Sequence, residues 1–368
     1  MKKADELIPW KVTDISLRPY TEMWSMNPSI HFDGQLWRCV LRYTDYAMPG
    51  GITIRSDKAQ PGETRTKNVM VVFDSGQWTA SQIYKMREYD ELPRIPCMSV
   101  GYEDIRLFRT DKGGLQGIAA SLHLQRRAAD LKGGVIKQPA EQVLLSFDKK
   151  YNIVDAKPIR GDGWSGTAQK NWAPFDHCAE PRFLHSIDKG TVFDGRGQLS
   201  TAAAFVRTSS RPRQLSNDLD DRSIRRAEKR ALACEIDRAY EHNRRAKQPR
   251  RELGATLVRS AQEPTYEGLR GGTQLVRVGD DAWLGVGHAM KFVDGLKFYW
   301  HVWYVVDSRG KMRSASLPMK LAPNGIEFAA GLAIDGDRVV VSFGIDDMEC
   351  RIGETSLSVV MGILRPLT

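Results

Sequence analysis

Long apolar runs are missing from this chain. No stretch approaches the ~20 uninterrupted apolar residues that a membrane-spanning helix needs, which excludes that class. Cysteine is scarce and without pattern. The five residues, Cys39, Cys97, Cys178, Cys234 and Cys350, are odd in number and never spaced Cys-x-x-Cys. Neither a disulfide framework nor a zinc cluster is therefore expected, and a reducing cytoplasm is the expected setting. The opening Met1-Lys2-Lys3 is not followed by an apolar stretch, so no secretory leader is expected. No His, Asp or Glu group stands at ligand spacing along the chain, and no metal or resident cofactor is expected. Long helical patterns are also few, which excludes a doubly wound α/β fold.

Charge is present but unevenly placed. The formal balance is +9 over 368 residues. Residues 207–252 alone carry 14 Lys/Arg against 8 Asp/Glu, so most of the excess belongs to one segment. Within it, residues 216–247 show helical spacing through Ile224, Ala227, Ala231, Leu232, Ile236, Ala239 and Tyr240. Acidic Asp218, Asp220 and Asp221 suit its start, and Arg244, Arg245 and Lys247 its end before Pro249. The expectation is a basic amphipathic helix inserted between sheets. Its bland reading is a docked surface helix. An oligomer contact or lid, and a weaker nucleic-acid or membrane-surface contact, are the alternatives.

The rest of the chain is built from short β-rich runs and turn residues. Leu36–Tyr43 follows the pair Asp33-Gly34, Val69–Phe73 precedes Asp74-Ser75-Gly76, and Gly117–Leu124 follows Lys112-Gly113-Gly114. Val143–Phe147, Thr273–Val278, Ala282–His288, Phe298–Val306, Ile326–Ile334 and Val339–Phe343 continue the style. Asp-Gly and Gly-Gly pairs supply the positive-φ positions of hairpin turns. Grouped, the hairpins make five units of about 50–60 residues, which suits four-stranded propeller blades. The expected fold is all-β, a single five-bladed β-propeller spanning residues 1–368, with the helical insertion at 207–252.

A propeller gathers one strand start or loop from each blade at the mouth of its central funnel, so site residues should recur far apart in sequence. The unusual polar clusters do so. They are Asn27-Pro28-Ser29-Ile30 with Arg42-Tyr43, then Glu103-Asp104-Ile105-Arg106, then Lys170-Asn171-Trp172-Ala173-Pro174-Phe175. Arg270-Gly271-Gly272-Thr273 with Gly287-His288 and Tyr299-Trp300-His301 form the fourth, and Glu327 with Phe343-Gly344-Ile345-Asp346-Asp347 the fifth.

On these motifs the chain resembles the five-bladed propellers of the β-mannoside phosphorylases and their related mannosyltransferases and glycosidases. It looks most like a bacterial glycosyltransferase-associated branch, with its Asn-Pro-Ser-Ile opening and an Arg-x-x-x-Tyr-like ending of the first blade. The likeness runs from about residue 24 to 352, the insertion apart. It implies that Asp104 is the proton-handling acid, although the family's Glu-Asp-Pro-Arg has Ile105 in place of proline here. It further implies sugar or phosphate contacts by Asn27, Arg42, Tyr43, Glu103, Arg106, Lys170, Asn171, Trp172, Arg270, Thr273, His288, Tyr299, His301 and Asp347.

The chemistry fits such residue types. Cleaving a glycosidic bond passes through an oxocarbenium-like state whose leaving oxygen needs a proton. Glu103 and Asp104 are paired carboxyls, although strand alternation would send them to opposite faces. Glu327 and Asp176 are candidates for the base of an inverting hydrolase. Arg42, Lys170, Arg270, His288, Tyr299 and His301 are candidates for an anion site. Of the tryptophans, Trp37, Trp283, Trp300 and Trp303 read as core, and Trp172 as the one facing ligand. The leading expectation is an inverting glycosyltransferase that moves a mannosyl-type unit from a phosphorylated or nucleotide-sugar donor to a hydroxyl. A phosphorylase, a glycosidase, a transferase acting on a modified DNA base and a non-catalytic sugar-binding propeller are the alternatives.

Overall fold

A computed structural model describes residues 10–17, 19–20, 22–49, 53–57, 59, 64–74, 77–88, 99–111, 114–121, 140–159, 170–199, 266, 268–293, 296–322 and 326–367. The insertion at 207–252, and with it the expected helix at 216–247, lies outside these residues. No helix among the described residues is long and apolar enough to cross a membrane.

The architecture is a five-bladed β-propeller. The first blade runs outward through Trp24–Phe32, Trp37–Thr44, Thr64–Phe73 and Ala80–Lys85. The second comprises Glu103–Arg109, Leu115–Ser121, Glu141–Phe147 and Ile153–Pro158. Among the described residues the third comprises Ala173–Pro174, Arg182–Ser186 and Thr191–Asp194. The fourth is built on Arg270–Gly271, Ala282–Val293, Leu296–Val306 and Met312–Ala315, and Arg365–Pro366 pairs with its outer strand. Glu327–Asp335, Arg338–Ile345 and Glu349–Ser356 form the fifth. Its fourth strand is Lys11–Asp14, from the other end of the chain, so the ring is closed by pairing early residues with late ones.

Strand alternation makes each blade two-faced, and the core is accordingly five apolar seams, one between each neighbouring pair of blades. Cys39, Leu41 and Tyr43 of the first blade meet Ala333, Val340 and Ile352 of the fifth. Val40 and Met70, on the opposite face, meet Ile105, Leu107 and Val143 of the second blade. Phe108 and Ile118 then pack on Trp172, Phe183 and Phe193 of the third. Ala173, Phe175 and Leu184 meet Trp283, Val302 and Tyr304 of the fourth. Leu284, Val286 and Trp303 close the ring against Ala329, Leu332 and Phe343 of the fifth. The turn chemistry agrees, since Gly34 and Gly336 of the Asp-Gly pairs both adopt positive φ. Cys39, Cys178 and Cys350 are free, buried thiols.

One glycine fixes how the second blade enters the funnel. Gly101 has φ +103°, and an added Cβ would stand 2.5 Å from the Thr66 carbonyl oxygen. The chain can pass so close beneath the first blade only without a side chain. The Asn68 side-chain amide donates to the Tyr102 carbonyl at 3.0 Å and pins the next residue. Gly101→Ala should therefore destabilise the protein by about 2 kcal/mol, from positive-φ strain and displacement of the Thr66 carbonyl. A urea unfolding titration that shows no shift in midpoint would refute this account.

Candidate active site

The inner strands do not run regularly into the funnel. The first has a register shift between Met26 and Ser29, the second between the partners of Ile118 and Ala120, and the fifth between Ala329 and Gly331. Asn27, Asp104, Asn171, Asp346 and Asp347 all lie in the left-handed region, with φ from 45° to 62°. Bulges of this kind re-aim side chains that strict alternation would separate. The expectation that Glu103 and Asp104 point to opposite faces is corrected for this reason. Both reach the same guanidinium: Arg42 Nη1 donates to Asp104 Oδ1 at 2.8 Å, and its Nη2 lies 3.6 Å from Glu103 Oε1.

Around this pair the site is cationic. Lys170 Nζ contacts Glu103 Oε2 at 2.9 Å and keeps 44% of its side chain exposed. Asn27 Nδ2 donates to Asp104 Oδ1 at 2.9 Å. Arg106 is fully buried behind them. It donates to the Asn171 side-chain oxygen at 3.0 Å, the Asp104 carbonyl at 3.2 Å and the Gly272 carbonyl. Its guanidinium also stands 5.6 Å from the centre of the Phe328 ring. His288 meets Phe328 and Tyr299 edge-on, with ring centres 5.0 and 5.2 Å apart, and so extends an aromatic wall across the fourth and fifth blades. Each of the five blades contributes to this constellation.

Burial alone would push the Asp104 carboxyl towards the neutral form. The Arg42, Arg106 and Lys170 charges and the Asn27 hydrogen bond outweigh it, and hold Asp104 well below the usual carboxylate range. Burial works against the Arg42 cation too, but Tyr46, Asp104 and Glu103 raise its pKa well above the ordinary value. Without a ligand, then, Asp104 is a carboxylate.

Of the sequence-predicted residues, Asn27, Arg42, Glu103, Asp104, Arg106, Lys170 and Asn171 are brought together. Asp347 joins them across Tyr46: its charge helps burial to raise the pKa of the Tyr46 phenol. Tyr46 itself accepts from Arg42 Nη2 at 3.5 Å. It, and not the expected Tyr43, is the tyrosine of the Arg-x-x-x-Tyr spacing. Tyr43 is corrected out of the site. It lies one residue from Arg42, hence on the other face, where its hydroxyl donates to the Leu17 carbonyl at 3.0 Å within the seam of the first and fifth blades.

Trp172 is likewise corrected. Its ring is wholly buried and stacked on Phe193 at 5.2 Å in the seam of the second and third blades, so it offers no face to a ligand. Thr273 and His301 are fully buried as well. Thr273 donates to the Gln274 carbonyl at 2.8 Å and accepts from the Val286 amide at 3.1 Å, and His301 accepts from the Ala329 amide at 3.2 Å. These are structural roles. Arg270 is exposed, with its backbone paired to His288.

Both proposed bases are engaged by other groups. Glu327 is fully buried and taken up by Lys320 at 3.1 Å, His301 at 3.6 Å and the Leu321 amide at 2.8 Å. Asp176 accepts from the Arg109 amide at 2.7 Å, at the far end of the strand that Asp104 enters. Asp104 and Arg109 stand five positions apart, about 16 Å along the strand, beyond the ~6.5–9.5 Å an inverting carboxylate pair spans.

No family model matches the chain, and no curated protein matches it. Solved structures do. A candidate glycoside hydrolase from Parabacteroides distasonis ATCC 8503 is 12% identical, with 90% of this chain and 87% of that one covered at a TM-score of 0.51. A structure from the GH130 mannoside phosphorylases, a family containing glycoside hydrolases that target β-1,2 mannosidic linkages in Candida mannan, is 10% identical, covering 91% and 85% at 0.50. The β-1,2-mannobiose phosphorylase from Listeria innocua is 10% identical, covering 98% and 97% at 0.47. At these identities the first two likenesses establish the shared propeller fold, the fold that the sequence motifs had implied.

Proposed function

We propose that this protein is a carbohydrate-active enzyme that cleaves a β-glycoside with inorganic phosphate, a β-mannoside by analogy with the neighbours of its fold. The observation that supports this reading is the cationic frame on the carboxyl pair: Arg42 on both Glu103 and Asp104, and half-exposed Lys170 on Glu103. An anion entering beside Lys170 meets fixed positive charge, which is what a phosphate nucleophile needs.

In the proposed step a phosphate oxygen attacks the anomeric carbon while the glycosidic carbon–oxygen bond breaks. Asp104, protonated by the phosphate hydroxyl once the ligand is bound, gives that proton to the leaving oxygen and returns to the carboxylate. Net, a glycoside and hydrogen phosphate become a sugar 1-phosphate and a free hydroxyl. Asp104 is ionised in the empty site, so it must be protonated once ligand is in place. Phosphate offers both means: its negative charge offsets Arg42 and Lys170, and its hydroxyl carries the proton. Run in reverse, the same step transfers the glycosyl unit from a sugar 1-phosphate to an acceptor, which unites this reading with the transferase expected from the sequence. The nucleic-acid acceptor and the oligomer contact rest on residues 216–247, outside the described structure.

The test is incubation with a panel of β-mannosides, with and without phosphate, followed by measurement of sugar 1-phosphate. Release that depends on phosphate is expected. Equal hydrolysis in its absence would favour the glycosidase, and no turnover with any β-glycoside in either direction would overturn the proposal. In an active assay, Lys170→Ala should raise the KM for phosphate about tenfold and change kcat less, because a half-exposed cation contributes mainly to binding.

A further inference from the structure

At the opposite end of the inner strands lies a second polar cluster that the proposed reaction does not use. His31 stands four residues beyond Asn27 on the first blade, and Asp176 and His177 follow the short inner strand of the third. His31 Nε2 is 3.3 Å from Asp176 Oδ1, and His177 Nε2 is 3.8 Å from Asp176 Oδ2. One ligand atom from each residue can be chosen so that all lie within 4.8 Å of one another. The carboxylate is held firmly. Its Oδ1 accepts from the Arg109 amide of the second blade at 2.7 Å, and the Asp176 amide donates to the Leu275 carbonyl at 2.8 Å. Burial opposes its ionisation, but His31, His177 and the Arg109 amide prevail and keep its pKa low.

We propose that His31, Asp176 and His177 form a binding site for one zinc-class divalent ion, which clamps the first blade to the third. Two imidazoles and a carboxylate are a ligand set that zinc favours. The spacing also fits. Ligands about 2.0–2.1 Å from a tetrahedral ion stand about 3.3–3.4 Å apart. The His31–Asp176 separation already has this value, and His177, whose ligand atom lies within 4.8 Å of the other two, closes the set by rotation of its half-exposed side chain. His31 and Asp176 are buried, whereas His177 keeps 48% of its side chain exposed, so it provides the entry path and leaves the fourth position to water. Coordination through His31 Nε2 requires its ring proton on Nδ1. About 16 Å of strand lies between this cluster and Asp104, which makes the ion a clamp and not a reactant.

The experiment is zinc titration of the full chain after chelator treatment and dialysis, with bound metal counted and thermal unfolding followed in parallel. One ion per chain and a raised Tm are expected. Cobalt substitution should give the intense visible bands of a four-coordinate site. His177→Ala, at a half-exposed position that is unlike a core residue and so compatible with folding, should weaken binding at least about tenfold, and His31→Gln should do the same. Lys170→Ala should bind as the parent does. The proposal is overturned if the parent chain takes up no stoichiometric zinc, or if both histidine variants bind with unchanged affinity.

Discussion

Asp104→Asn is expected to lower turnover of an accepted glycoside by about 10³-fold, the range a positioned general acid supplies, and to leave the fold intact. Asparagine keeps the volume and one acceptor oxygen for Asn27 Nδ2 and Arg42 Nη1, which now contact Asp104 Oδ1 at 2.9 and 2.8 Å. It removes the negative charge and the ability to carry a proton. Arg42 retains Glu103 at 3.6 Å, so its charge is not abandoned. The expected stability cost at neutral pH is about 1–3 kcal/mol, that of losing a charge-assisted hydrogen bond to a buried group.

The pH dependence of that cost follows from the lowered pKa of Asp104. A carboxyl whose folded pKa is depressed contributes stability above its unfolded pKa, about 3.9, and loses it as pH falls towards the folded value. The gap between parent and Asp104→Asn should stay level from neutral pH to about pH 5, then close in acid. Chemical denaturation at several pH values reads this directly. A variant as active as the parent would remove Asp104 from the mechanism. A stability gap that widens in acid would reverse the electrostatic account.

These consequences depend on features that the sequence shows unequally. Hairpins are plain because each needs only period-two apolar runs and turn residues, and Gly34 and Gly336 sit where Asp-Gly pairs place them. Which strands share a blade is partly visible in their grouping. The closing strand Lys11–Asp14 is not, because four residues paired to Glu349–Ser356 carry little pattern of their own. At the site, residue types were legible and facing was not. Arg42 and Tyr43 are adjacent, and only the seam each face enters separates a ligand group from a core one. Glu103 and Asp104 share a partner because Asp104 has φ +53°, a local choice that composition does not announce. Trp172 follows polar Lys170 and Asn171 in its motif yet belongs to an apolar seam. The His31–Asp176 contact joins residues 145 apart in the chain, and its sole sequence signal is the Asp176-His177 pair.

Arg106→Met should cost more stability than any other single change at the site, about 3–5 kcal/mol. The methionine can follow the aliphatic stem and still pack near Phe328. It cannot replace a planar fork that donates to Asn171, the Asp104 carbonyl and the Gly272 carbonyl, acceptors drawn from the second, third and fourth blades. Left without a donor in a buried place, such acceptors cost about 1–3 kcal/mol each, less whatever the structure recovers by relaxing. Gly272 has little room to relax, since a Cβ there would already lie 2.6 Å from the Val286 carbonyl oxygen and 2.8 Å from that of Ala329. Arg106→Lys should rescue little, because one ammonium cannot span three divergent acceptors in a fixed plane. Urea titrations of parent, methionine and lysine variants measure both effects. A methionine variant within 1 kcal/mol of the parent would mean that the blades are held by their apolar seams alone. A large loss would instead make this arginine a joint between blades as well as the support behind the carboxylate it neighbours, so that Asp104 is aimed by the same contacts that hold the ring together.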